Sequence, residues 1–441
     1  MALIWNPEAE AQPRREREAL QGARLRETVA WACERVPFYR ERLSGVNVRG
    51  LADLAGLPFT RKTDLRAQYP FGLFAVPLAE VARLHASSGT KGKPTVVAYT
   101  AGDLAVWREV MARVMVAAGA RRGDLLQIAF GYGLFTGGLG FHDGAEHIGL
   151  TVLPASSGNT ARQCLLLRDL RPAGIAATPS FALHIAETLA EQGTKPGDLG
   201  LRYGMFGAEP WTDGIRRALE TGLGCAAFDI YGLSEIIGPG VAGECEARDG
   251  LHVADDHFLP EVVDPASGEV LEAGREGELV LTTLSKRALP MIRYRTGDIT
   301  ALTLEPCRCG RTSARIARLK GRSDDMLIIK GVNVYPSEIE AALLDVEDLL
   351  PQYQLVVDRR ATLARIEVQV EPGPRLIERC SGFHPDHPVV AALRQDVAAR
   401  LRSALGLGVE VTLVPPRTIP RSEGKAVRVV EHTEAGRGER A

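Results

Sequence analysis

Between about residues 80 and 320, short apolar runs such as Leu125 to Phe130, Thr151 to Pro154 and Ala226 to Ile230 alternate with helical patterns and glycine-rich turns. Alternation of this kind specifies α/β architecture, with βαβ units on a largely parallel sheet. One helix opens at Thr178-Pro179-Ser180, with Ser180 as its expected cap, and runs through Phe181, Ile185 and Leu189. Ahead of this region, Pro13 to Arg42 reads as a charged surface helix carrying Leu20, Leu25, Val29 and Trp31. Near Gly321 the pattern changes. Met326 to Ile329 reads as a strand, Ser337-Glu338-Ile339-Glu340 as a capping box, Ile366, Val368 and Val370 as an alternating strand, Val389 to Leu405 as a helix, and Val409 to Val414 as a strand. The expected division is a large α/β domain over 1–323 and a small α+β domain over 324–441, with a polar tail after Thr433.

Composition narrows the function classes. The chain has 441 residues, 45% hydrophobic and 24% charged, with 53 Lys+Arg against 55 Asp+Glu. A net charge of −2 leaves no basic footprint for nucleic acid or an anionic membrane. No apolar run nears the roughly 18 residues of a spanning helix. The opening Met-Ala-Leu-Ile-Trp-Asn-Pro-Glu has no signal-peptide pattern, so a cytoplasmic protein is expected.

The most informative segment is Ser87-Ser88-Gly89-Thr90-Lys91-Gly92-Lys93-Pro94-Thr95. Glycines let successive backbone N–H groups turn toward one anion, hydroxyls add donors and lysines add charge, a combination suited to a polyphosphate. The spacing is not that of a Walker A loop. Alone, such a string is most often a solvated loop. In Phe228-Asp229-Ile230-Tyr231-Gly232-Leu233-Ser234-Glu235 an apolar strand ends in a glycine turn followed by a carboxylate, a place where Glu235 can hold Mg²⁺ with substrate phosphates or merely cap a helix. Asp298, in Arg293-Tyr294-Arg295-Thr296-Gly297-Asp298, is suited to two ribose hydroxyls, with a surface ion pair as the alternative.

Taken in order, Ser87 to Thr95, Gly207-Ala208-Glu209-Pro210, Tyr231 to Glu235, Tyr294 to Asp298, Gly321-Arg322-Ser323-Asp324-Asp325 and Lys425 resemble the core motifs of adenylate-forming enzymes. Tyr132-Gly133-Leu134-Phe135-Thr136-Gly137-Gly138-Leu139-Gly140, Gly232 to Gly240, and Ser323 to Val334 are similar to the wording of the phenylacetate–CoA ligase group. The resemblance covers about residues 25 to 430.

This resemblance implies a large adenylate-forming domain with a small mobile lid, and a two-step reaction. An acid attacks the α-phosphate of ATP to give acyl-AMP and pyrophosphate, and the CoA thiol then displaces AMP. By family position, Ser87, Ser88, Gly89, Thr90, Lys91, Gly92 and Lys93 cradle the phosphates. Ala208, Glu209, Pro210, Asp229, Ile230 and Tyr231 line the adenine, Gly232 and Ser234 belong to the same nucleotide wall, and Asp298 and Arg322 hold the ribose. Lys425 and Glu235 are the expected catalytic residues, Gly331 flanks the CoA channel and Asp324 is the hinge. Tyr132, Phe135, Gly140, Phe141, His142, Ile236, Ile237 and Pro239 border an acyl pocket for an aryl acid. Lys91 replaces a usual hydroxyl residue, and Asp143 stands where the group has an aromatic, so phenylacetate and a substituted benzoate are both open. A rival reading loads the acyl group onto a carrier protein's pantetheine. The family suggests a homodimer.

Cys245, His252, Cys307 and Cys309 make three thiolates and one imidazole, the ligand set of a closed structural zinc, with free core thiols as the alternative. Cys33, Cys164, Cys225 and Cys380 read as small core residues. His142 reads as a packing or substrate-contacting residue, since an ionised acid needs no base.

Overall fold

The computed structural model describes residues 3–87, 94–323, 326–329, 332–358 and 365–432. The large domain is built on one sheet whose strand order brings Thr151–Leu153, Leu125–Ile128, Gly174–Ala177, Tyr203–Gly207 and Ala226–Leu233 side by side in parallel. Beyond Ala226–Leu233 the sheet turns antiparallel, through Gly238–Glu244, Leu251–Val253, Arg315–Ile316, Tyr294–Thr303, Glu276–Thr283 and Phe258–Val263. The expectation of a largely parallel sheet therefore holds for only one half. Apolar runs report that a strand is buried and not which way its neighbour points.

The helix Ala101–Ala117 buries Trp107, Val110, Met111 and Met115 against the sheet. Its N-terminus is a reciprocal cap, in which Thr100 Oγ1 accepts from Asp103 N at 3.1 Å and Asp103 Oδ2 accepts from Thr100 N at 2.8 Å. Asp103 also accepts from the backbone of Arg287 and Ala288, which ties this helix to a distant loop.

Three local expectations are corrected. The first charged segment is two helices, Arg14–Arg35 and Pro37–Arg42, because Pro37 cannot donate into the preceding turn and pushes Val36 to an extended conformation. It is also partly core, with Leu25, Val29 and Ala32 buried in the main cluster. The helix Pro179–Glu191 is capped by Thr178, whose Oγ1 accepts from Phe181 N, and not by Ser180. Pro336–Leu344 takes its cap at Tyr335, where Glu338 accepts from Tyr335 N, so Ser337 lies inside the first turn.

The small domain has its own core. Leu355, Val357, Val368 and Val370 on a four-stranded sheet pack with Ile339, Leu343, Val397 and Leu401 of the helices. The large-domain cores reach Leu319 and this one begins at Leu327. No helix among the described residues is long and apolar enough to cross a membrane.

Candidate active site

The carboxyl ends of the parallel strands open onto a cleft of about 840 Å³ that runs to the small domain. Such an edge exposes loop backbone and strand-end side chains that the core does not consume, which is where α/β proteins place ligands. Ala208, Glu209 and Pro210 follow the strand Tyr203–Gly207, and Asp229 to Glu235 end the next one. Ala208 sits at φ +70°, a conformation that costs a non-glycine residue roughly 1 kcal/mol and turns this segment along the cleft. Gly232 has a packing reason as well: a Cβ there would stand 1.9 Å from the Gly238 carbonyl oxygen.

Asp298 and Arg322 face one another across an antiparallel pairing, with Arg322 Nη1 3.1 Å from Asp298 Oδ1 and the Tyr231 hydroxyl donating to Asp298 Oδ2 at 2.6 Å. The carboxylate is thus oriented within the cleft by two neighbours from different strands. Glu235 is buried and accepts from the Tyr294 hydroxyl at 3.3 Å through Oε1. A buried carboxylate that also lines the cleft suits a divalent cation shared with phosphates, so the residues fit Mg²⁺. The pKa of Asp229 is pushed up to about 7, first by burial and then by the nearby Glu244 charge.

Lys425 enters the cleft from the small domain, its ammonium 5.7 Å from the centre of the Phe135 ring. It is open to the cleft yet surrounded by protein, which lowers its pKa by desolvation, while Glu209 opposes the shift. The apolar end of the cleft is lined by Phe130, Phe135, Phe141 and Pro239, with Phe130 and Phe141 stacked 5.2 Å apart. Gly140 lies behind this wall, where a Cβ would meet Trp107 at 2.6 Å and Pro239 at 2.8 Å.

The cleft brings together Ser87, Phe135, Phe141, Ala208, Glu209, Pro210, Asp229, Ile230, Tyr231, Gly232, Ser234, Glu235, Pro239, Asp298, Arg322 and Lys425. It does not include Ile236 and Ile237, which are fully packed in the core, nor Tyr132 and His142, whose Oη and Nδ1 lie 3.3 Å apart beside the pocket. Asp143 is paired with Arg83 at 2.7 Å. Ser88, Gly89, Thr90, Lys91, Gly92, Lys93, Asp324 and Gly331 lie outside the described residues.

Sequence reasoning missed Arg61, Lys62 and Thr63, which line the same cleft, and Lys286, which lies beneath Glu235. The adjacent basic residues of Thr60-Arg61-Lys62-Thr63 were a legible signal. Lys286 offered none, since a lone lysine in Leu284-Ser285-Lys286-Arg287 reads as surface.

Away from the cleft, Cys245, His252, Cys307 and Cys309 are all buried, with their ligand atoms within 4.8 Å of one another. Cys245 Sγ lies 3.9 Å from Cys307 Sγ, and His252 Nε2 lies 3.5 Å from Cys309 Sγ. A tetrahedral zinc with ordinary bond lengths requires edges of about 3.8 Å between sulfurs and about 3.6 Å from sulfur to nitrogen, which these two spacings match, and the donor set of three thiols and one imidazole suits that ion. His252 Nδ1 is engaged by Ser313 Oγ at 3.2 Å, leaving Nε2 directed at the cluster. Arg311 contacts Cys309 Sγ, pairs with Glu10 and donates to the Leu3 carbonyl, fastening the N-terminal arm to this place.

The AMP-binding enzyme family matches residues 66–285, and the AMP-binding enzyme C-terminal domain matches residues 331–433. The phenylacetate-coenzyme A ligase of Thermus thermophilus is 53% identical over 97% of this chain and 99% of that protein. The phenylacetate-coenzyme A ligase of Escherichia coli K12 is 48% identical over 94% of this chain and 95% of that protein. Among solved structures, 2-hydroxyisobutyryl-CoA ligase in the postadenylation state with 2-HIB-AMP is 32% identical, covering 98% of this chain and 93% of that one, with a TM-score of 0.91. The same ligase in the thioesterification state, at the same coverage, scores 0.71. The sequence relation is the same in both, and the chain superposes more closely on the postadenylation structure.

Proposed function

Because the chain belongs to the phenylacetate–CoA ligase group of the AMP-binding enzymes, we propose that it activates phenylacetate with ATP as phenylacetyl-AMP and passes the acyl group to CoA. The enzyme is an AMP-forming acyl-CoA ligase, and the acid is the finer assignment. The observation that carries this assignment is the stretch of the cleft lined by Phe130, Phe135, Phe141 and Pro239, an apolar wall for a ring. The side chains of these four residues present no hydrogen-bonding group, and the Thr136 and Ser234 hydroxyls that also line the cleft are bonded to one another at 3.1 Å, which favours an unsubstituted ring over an amino- or hydroxybenzoate.

In the first step the acid's carboxylate, ionised at neutral pH, attacks the α-phosphate and pyrophosphate departs. Negative charge builds on the phosphoryl oxygens, and fixed donors lower the barrier by electrostatic stabilisation. Lys425 supplies a cation at the α-phosphate, and Ser87, Arg61 and Lys62 extend the donor set along the phosphates. Asp298 accepts from the ribose hydroxyls, kept in place by Arg322 and Tyr231. Glu235 would hold Mg²⁺ with the phosphates, and the ion when bound neutralises their charge. For the second step the lid has to leave this pose, with Asp324 as the hinge and Gly331 at the pantetheine channel.

We further assign Cys245, His252, Cys307 and Cys309 to a structural zinc. A cytoplasmic location suits a reaction fed by ATP and CoA, and the family-based homodimer is tested by light-scattering mass. The ligase assignment is tested by pyrophosphate release from ATP with phenylacetate, benzoate, hydroxy- and aminobenzoates and a fatty acid, followed by thioester formation with free CoA. Phenylacetate should give the highest kcat/KM and free CoA should suffice as acceptor. A requirement for a carrier protein, or preference for a substituted benzoate, would replace this assignment.

A further inference from the structure

The loop that carries Lys425 is fastened to the large domain on both sides of the lysine, in part by residues outside the lining of the cleft. On the large domain, Thr160 opens the helix Thr160–Leu170, and Glu423 Oε1 of the lid accepts from both its backbone N at 3.1 Å and its Oγ1 at 2.7 Å. Two residues earlier in the lid, Arg421 is held by a bidentate pair with Glu371, at 2.8 and 2.9 Å, and Glu371 is wholly buried in the lid. That pair fixes the guanidinium and leaves Nε to donate to Glu187 Oε2 at 2.9 Å, on the large-domain helix Pro179–Glu191. Glu187 Oε1 accepts a second lid donor, Gln352 Nε2. Glu187 thus collects one donor from each of two separate lid segments.

The backbone between these contacts is registered as well. Thr178 Oγ1 donates to the Gly424 carbonyl at 2.7 Å, and Ala426 N donates to Glu209 Oε2 at 2.9 Å. The fit is steric too, since a Cβ on Gly214 would lie 2.4 Å from Leu344 Cβ of the lid. These contacts belong to one arrangement of the domains, the arrangement in which the chain matches the postadenylation structure at a TM-score of 0.91 and the thioesterification structure at 0.71.

We propose that Glu187, through Arg421, and Thr160, through Glu423, form a latch that selects the acid-activating pose of the lid and so sets the balance between the two half-reactions. They are positioning residues for Lys425, and the inference rests on the ligase assignment above. A latch of this kind has to break once per turnover, so its strength speeds the first step only at the expense of release into the second. Hydrogen bonds to a charged group contribute enough that losing one should shift the pose equilibrium on the order of tenfold.

The test compares half-reactions in the full-length protein. Glu187→Ala should lower pyrophosphate release from ATP and phenylacetate about tenfold, while thioester formation from presynthesised phenylacetyl-AMP and CoA stays unchanged or rises. Glu423→Ala, on the exposed lid surface, removes the acceptor of both Thr160 donors, should shift the ratio in the same direction and guards against a folding defect in the first variant. Equal loss of both half-reactions, loss confined to thioester formation, or an unchanged ratio in either folded variant would overturn the latch. Failure of the unaltered protein to release pyrophosphate would instead overturn the ligase assignment.

Discussion

The ammonium of Lys286 lies 3.1 Å from the main-chain carbonyl oxygen of Glu235 and 4.6 Å from the centre of the Tyr99 ring. A buried lysine thus supports the residue expected to hold Mg²⁺ from below. Burial pulls its pKa down to about 7, against the opposing charges of Asp103 and Glu235.

The sign of the resulting pH dependence is definite. Below pH 7 both the folded and unfolded chains carry the proton and the fold bears the cost of burying it. As pH rises from there toward the unfolded value of about 10.4, that cost is relieved. Urea unfolding should therefore show a stabilising contribution that grows across this window and is absent in Lys286→Met. The same variant should raise the Mg²⁺ concentration needed for half-maximal pyrophosphate release. Parallel stability curves for the two proteins from about pH 7 to about pH 10 would show that Lys286 does not titrate there.

Glu235→Gln preserves shape, and with it the contact from the Tyr294 hydroxyl, but removes the charge. Apparent Mg²⁺ affinity in the adenylation assay should fall about 100-fold or more. Near-normal Mg²⁺ dependence in a folded variant would remove Glu235 from the metal site.

Lys425 reaches the cleft only from the lid. Lys425→Ala should slow adenylation by about two to three orders of magnitude, as expected for loss of a charge-stabilising donor. Thioester formation from presynthesised acyl-AMP should be largely retained. Equal loss in both steps would mean that one pose serves both.

For the cysteine cluster, protein purified without chelator should hold about one equivalent of zinc per chain, with Cys307→Ser lowering both metal content and melting temperature. Because Arg311 links Cys309 to Glu10 and Leu3, the N-terminal arm should become protease-sensitive when the metal is removed. Metal-free protein with unchanged melting and an intact arm would leave the four residues as packed thiols and a histidine.

What the sequence by itself determined is local. Turn glycines, hydroxyls and charges beside strand ends set the order of the motifs, and the break near Gly321 marks where a second core follows the first, because periodicity and turn chemistry are properties of neighbours in the chain. The grouping of residues 207–210, 228–235 and 294–298 into one site comes instead from the resemblance to adenylate-forming enzymes, since each segment alone also reads as an ordinary turn, cap or surface ion pair. Direction of strand pairing is not legible at that level, since a buried strand has the same apolar pattern beside a parallel or an antiparallel partner, and half of the sheet is antiparallel. Nor is the inward turn of Lys286, or the exclusion of Ile236 and Ile237 from the cleft, because each depends on which distant surface covers the residue. Only the tertiary structure brings Glu187 to Arg421 and Thr160 to Glu423, contacts that span 234 and 263 positions of chain. These contacts form where the small-domain core docks on the large domain, and that docking is what places Lys425 in the cleft.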